Sequence, residues 1–115
     1  MALNDLERKR LEKAADEFVA ARRPPAHLRQ ELDLAYRIAG QSVEIFEIRP
    51  AYWDPAQMLE NSVAKATYVR RADEWRIYWQ RADLKWHRYE PHPTARTIEE
   101  VLTVVGEDRY CCFFG

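Results

Sequence analysis

Residues Leu32 to Pro50 read LDLAYRIAGQSVEIFEIRP, and this stretch decides the fold. Leu32, Leu34, Tyr36 and Ile38 alternate with Asp33, Ala35 and Arg37, the two-residue period of a strand with one face buried. Gly40 and Gln41 supply a two-residue hairpin turn. Ser42 to Arg49 is the return strand, with Val43 and Ile45 on one face and Phe46 and Ile48 on the other, so it reads as a central strand ended by Pro50. Glu47 interrupts its apolar run. A buried carboxylate without a partner is costly, so Glu47 is expected to pair with Arg49, two residues along on the same face, or with an arginine across the sheet, or else to face a cleft.

Downstream of the hairpin, Ala51 to Ser62, with Trp53, Asp54 and Pro55, is expected to be the longest irregular segment of the chain. Val63 to Val69 and Trp75 to Gln80 predict two more strands joined by a turn at Arg71 to Glu74, and Leu84 to Tyr89 predicts a fifth. Pro91 and Pro93 then break the sheet. Thr97 with Glu100 is a capping-box pattern ahead of Ile98, Val101, Leu102 and Val105, which predicts a short helix closed by Gly106. Arg109 to Phe114 is expected to add a last strand or to dock as a terminal plug.

Upstream, Asn4 and Glu7 form a second capping-box pattern, and Leu11, Ala14, Ala15 and Phe18 share one helical face. Arg22 and Arg23 suit a helix C-terminus, and Pro24 with Pro25 stops the helix near Ala21. The fold class expected is therefore α+β: an antiparallel sheet of about five strands with an N-terminal helix and a short C-terminal helix packed on it, in a single domain over residues 1–115.

A chain of 115 residues that is 47% hydrophobic can bury a core without disulfide or metal staples. Its net charge of −1 gives no global basic excess, so any anionic partner has to be argued from a local patch. The longest apolar run, Tyr110 to Phe114, is far short of the roughly 18 residues that span a bilayer. The charged stretch Met1 to Arg10 lacks an apolar signal core, so a cytoplasmic location without membrane contact is expected. Cys111 and Cys112 are adjacent and would point to opposite faces of a strand, which opposes a disulfide; their spacing from His87 and His92 fits no zinc pattern. No metal and no cofactor are expected. Three glycines make no phosphate loop and no nucleophile elbow is present, so the usual enzyme signatures are missing.

Gly40-Gln41-Ser42-Val43-Glu44, Ile48-Arg49-Pro50, Val63 to Val69, Arg81 to Tyr89 and the ending Cys112-Phe113-Phe114-Gly115 together carry a family resemblance that runs nearly end to end. The chain resembles the bacterial family called domain of unknown function 3024. That family brings no established activity, so the resemblance carries over no functional residue. It implies a single domain in a bacterial, intracellular setting.

Lys65 to Tyr89 is the most informative region for function. It holds seven basic residues against three acidic ones, interleaved with six aromatics: Tyr68, Trp75, Tyr78, Trp79, Trp86 and Tyr89. Cations neutralise phosphates and flat rings stack on unpaired bases, so such a sheet face suits RNA or single-stranded DNA. Lys65, Arg76, Tyr78, Arg81, Lys85, His87 and Tyr89 are the candidate binding residues. The competing expectation is plain alternation, with Trp75, Ile77 and Trp79 in the core and Arg76, Tyr78 and Gln80 in water.

Two further function classes follow from the same residues. Exposed Trp, Tyr and Arg, with Trp53 in the long segment, also suit a protein partner or self-association. A metal-independent ribonuclease of the toxin type would need His87 or Tyr89 as acid or base, with Arg81, Lys85 or Lys65 at the phosphate. Lys85, His87 and Tyr89 share one face of an alternating strand, and Lys85 beside His87 would favour the neutral ring. With no catalytic motif present, a non-enzymatic module is the expectation.

Overall fold

The computed structural model of the chain describes residues 2–114. Helix α1 spans Asp5–Arg22 and opens on the capping box: the Asn4 side chain accepts the Glu7 N–H at 2.8 Å, and the Glu7 carboxylate accepts the Asn4 N–H at 2.9 Å. It ends where Arg23 turns extended ahead of Pro24. Strands β1 (Asp33–Ala39), β2 (Ser42–Ala51), β3 (Asp54–Val69), β4 (Glu74–Gln80), β5 (Trp86–Arg88) and β6 (Thr94–Ala95) follow, then helix α2 (Ile98–Glu107). The sheet is antiparallel in the order β1-β2-β3-β4-β5, with β6 also paired to β4. The fold is α+β with the two helices the sequence predicts.

Gly40 has φ 60° at the first turn position of the β1–β2 hairpin, the positive value that primed two-residue turns require and that glycine adopts without strain. Opposed residues of an antiparallel pair share a face. Ile38, Val43, Ala66 and Ile77 form one inward row, and Tyr36, Ile45, Ala64 and Trp79 form the next. Leu11, Ala14 and Ala15 of α1, and Ile98, Val101, Leu102 and Val105 of α2, cover that face. The Tyr36 hydroxyl donates to Asp16 of α1 at 2.6 Å; burial first, and this bond second, push the phenol up to about 12.

Three sequence expectations need correction. Ala51 to Ser62 is not irregular: β2 runs through Pro50 to Ala51, Tyr52 and Trp53 form the turn, and β3 begins at Asp54. The prolines are tolerated because this part of the ribbon lies beyond the reach of β1 and β4, where a missing N–H costs no bond to a flanking strand. Leu84 to Tyr89 shortens to Trp86–Arg88 because Leu84 sits in the turn at φ 63°. Gly106 does not close α2 but lies inside it, where a Cβ would come within 3.3 Å of the Phe18 ring, so glycine permits the close approach of the two helices. Of the two forms expected for Arg109 to Phe114, the structure shows the plug: Asp108 accepts the N–H groups of Phe113 at 2.9 Å and Phe114 at 2.8 Å, and Phe113 packs on Tyr89 with ring centroids 4.7 Å apart.

A bulge at Val63 keeps the rest of β3 in phase. Ile45 faces Ala64 while Phe46 faces Ser62, so Val63 is the extra residue, and both it and Ala64 are buried.

Candidate nucleic-acid interface

The sheet face turned away from the helices carries a row that crosses five strands: Arg37, Glu44, Lys65, Tyr78 and Arg88. At about 4.8 Å per strand the row is roughly 19 Å long. A second row, Ser42, Thr67, Arg76 and Thr94, lies on one side of it, and Gln80 with Trp86 on the other. None of these side chains belongs to the hydrophobic core.

The charges along the first row differ in how they are engaged. Arg37 is held by Glu44 and Glu60 and lies over the Phe46 ring at 4.2 Å, which buries that ring on the open face. The Glu44 carboxylate also accepts the Ser62 hydroxyl at 2.7 Å. Arg76 pairs with Glu74 at 3.5 Å. Among the described residues, Lys65 and Arg88 have no carboxylate at ion-pair distance, and the Lys65 ammonium stands 5.9 Å from the centre of the Trp86 ring. Tyr78 lies between Lys65 and Arg88 in the register. The result is two free cations beside two half-exposed aromatic rings.

Of the seven residues singled out from the sequence, Lys65, Arg76 and Tyr78 share this face. Arg81 and Lys85 sit in the exposed turn at its rim, with the Arg81 guanidinium 5.5 Å from the Trp79 ring on the helix side. His87 is opposite Trp79 and therefore on the helix side too. Its Nε2 lies 2.9 Å from Asp83, so a carboxylate faces the ring where the sequence pointed to Lys85. The Asp83 carboxyl is held below its usual range by the Lys85 backbone N–H first and by His87 second. Tyr89 is only 2% exposed and packs in the core, where burial pushes its phenol up. The grouping of His87 or Tyr89 with Lys65 is thus not assembled, because Lys65 lies on the other face.

Glu47 takes the pairing expected of it, with Arg49 at 3.2 Å. Among the described residues no cluster of three or more His, Cys, Asp or Glu side chains is arranged to hold a metal ion, and no helix is long and apolar enough to cross a membrane.

Residues 3–115 match the family described as Domain of unknown function (DUF3024). The chain belongs to that family. No curated protein and no solved structure matches it. Function in this DUF3024 chain therefore has to be argued from its own geometry. Trp86 and Arg88 are the members of the face that sequence reasoning missed, and Arg37 is a third. The signal for the first two was present, since they alternate with His87 along the same strand, but which parity meets Tyr78 depends on the turn between β4 and β5.

Proposed function

We propose that the chain is a non-catalytic module that binds single-stranded RNA or DNA on the open face of its sheet. One observation carries this: in the row Arg37, Glu44, Lys65, Tyr78 and Arg88, flanked by Trp86, Lys65 and Arg88 stand without ion-pair partners among the described residues beside the half-exposed rings of Tyr78 and Trp86. Lys65 and Arg88 would neutralise phosphates, while Tyr78 and Trp86 would stack on bases. Cations already tied to carboxylates contribute less, since binding a phosphate means giving up the existing partner. Arg81 and Lys85, also without ion pairs among the described residues, extend the positive rim toward the β4–β5 turn. Such a role fits the cytoplasm of a bacterium, the setting that the family resemblance implies.

The test is fluorescence anisotropy of a labelled mixed-sequence single-stranded RNA titrated with the full chain at several salt concentrations. Affinity should fall as salt rises, and Lys65→Ala with Arg88→Ala should weaken it while Lys9→Ala, on the outer side of α1, leaves it unchanged. No binding at low ionic strength would overturn the proposal.

A further inference from the structure

The β2–β3 hairpin is longer than the sheet that supports it. Pairing to β1 ends at Ile48 on one side, and pairing to β4 ends at Ala64 on the other. Beyond those points the ribbon continues to the turn at Tyr52 and Trp53, an arm of about 15 Å at the usual rise per residue. Isolated two-stranded ribbons are marginal in water because they bury little. This one exposes what a ribbon should hide: Tyr52 is 94% exposed, Trp53 58% and Met58 46%. The two rings pack edge to face with centroids 5.0 Å apart, and the Trp53 indole N–H donates to Gln57 at 2.8 Å, so the tip is ordered rather than splayed.

The arm is electrically quiet. Arg49 is paired with Glu47 and Glu60 with Arg37, which leaves Asp54 as the charge without an ion pair at the tip. An acidic, aromatic tip does not attract a polyanion. One face of the ribbon carries an apolar strip of Ile48, Pro50 and Met58, since Pro50 and Met58 are direct partners.

We infer that the arm is a self-association device: two copies exchange arms about a two-fold axis, with the Tyr52–Trp53 tip of each seated on the Ile48, Pro50 and Met58 strip of the other. The area favours a second copy over a foreign protein. Two aromatic side chains offer roughly 400 Å² in all, which alone is no more than a lattice-type contact; the strip, with Met58 exposed and Ile48 and Pro50 half-buried, adds roughly 200 Å², so tip and strip together reach about 600 Å² per partner, the lower limit of a specific interface and the size of a reversible one. Isologous exchange is the arrangement that doubles a small patch in this way. The Tyr52–Trp53 tip lies beyond the pairing of both β1 and β4, and none of its residues belongs to the row through Lys65, Tyr78 and Arg88, so the inference does not depend on nucleic-acid binding.

Sedimentation velocity of the full chain, from low micromolar to submillimolar concentration, tests it. The wild type should show a reversible monomer–dimer equilibrium. The double variant Tyr52→Ser with Trp53→Ser should weaken it by at least about thirtyfold, as loss of an interface hot spot does. Both residues are exposed, so the melting temperature should stay at the wild-type value. Met58→Glu, which sets a charge on the receiving strip of each copy, should have the same effect. A wild type that remains monomeric throughout, or variants that dimerise as the wild type does, would overturn the inference. So would a monomeric chain whose tip variant loses RNA affinity, which would assign the arm to the nucleic acid.

Discussion

Replacing Tyr89 separates a core residue from a binding residue. Tyr89 is 2% exposed, its backbone N–H bonds to Ile77 at 2.9 Å, and its ring meets Phe113 of the C-terminal plug. Truncating a fully buried aromatic typically costs about 3 to 5 kcal/mol, because the lost apolar contact and the cavity add. Here the cavity would also loosen Phe113, so the upper half of that range is expected. At roughly 4 °C per kcal/mol for a chain of this size, Tyr89→Ala should lower the melting temperature by about 16 to 20 °C. Tyr89→Phe keeps the ring and should change it by less than about 2 °C, since the hydroxyl has no hydrogen-bond partner among the described residues to lose. Thermal melts followed by circular dichroism at neutral pH make the comparison, and RNA anisotropy on the Phe variant should give wild-type affinity. A fall of only a few degrees for Tyr89→Ala, or a Phe variant that stays folded and loses RNA, would refute the placement of Tyr89 in the core.

The salt dependence of RNA binding should lose about 0.7 from its logarithmic slope for each of Lys65→Ala and Arg88→Ala, the single-strand value per phosphate, and less for Arg76→Ala because Glu74 already engages that guanidinium; equal losses at all three positions would count against the role of ion pairing. The Arg23 guanidinium, bonded to Asp33 at 2.7 and 2.8 Å, holds that carboxyl below its usual range, so its contribution is complete above about pH 4 and is lost as pH falls through the folded value. Asp33→Asn should therefore flatten the acid limb of a stability–pH curve, and an unchanged limb would show that the pair adds nothing. Gly106→Ala should gain up to about 1 kcal/mol of helix propensity if the half-exposed Phe18 ring yields the few tenths of an ångström required, seen as a melting temperature about 2 to 4 °C higher; a fall would mean that the ring is fixed.

Much of the architecture was legible because local chemistry and tertiary packing agree. Asn4 with Glu7 and Thr97 with Glu100 mark helix starts through bonds the structure contains, and Gly40 marks the hairpin through its positive φ. The arm was not legible. Pro50, Trp53, Asp54 and Pro55 are all turn signals, and only the absence of flanking strands explains why they sit in a ribbon. Strand β6, two residues long, exists through its pairing with β4 and leaves no periodic trace.

The composition of the open face was legible, but its membership was not, and the reason is a single parity. Gln80 pairs with Trp86, so five residues, Arg81 to Lys85, form the turn. An odd turn brings Trp86 and Arg88 alongside Tyr78; an even one would have brought Lys85, His87 and Tyr89 there instead. Leu84 at φ 63° supports the longer turn, together with the Asp83 carboxylate, which accepts the Lys85 N–H at 2.9 Å. The same parity answers the contest between core and interface. Trp75 and Ile77 are buried because Arg76 and Tyr78 are not, so one alternating strand meets both expectations at once. Alternation therefore cannot decide whether the outer residues bind anything. What favours binding is the engagement of the charges: a face that only needed solubility could have tied Lys65 and Arg88 to carboxylates, as Arg37 and Arg76 are tied, and here they stand free beside Trp86 and Tyr78.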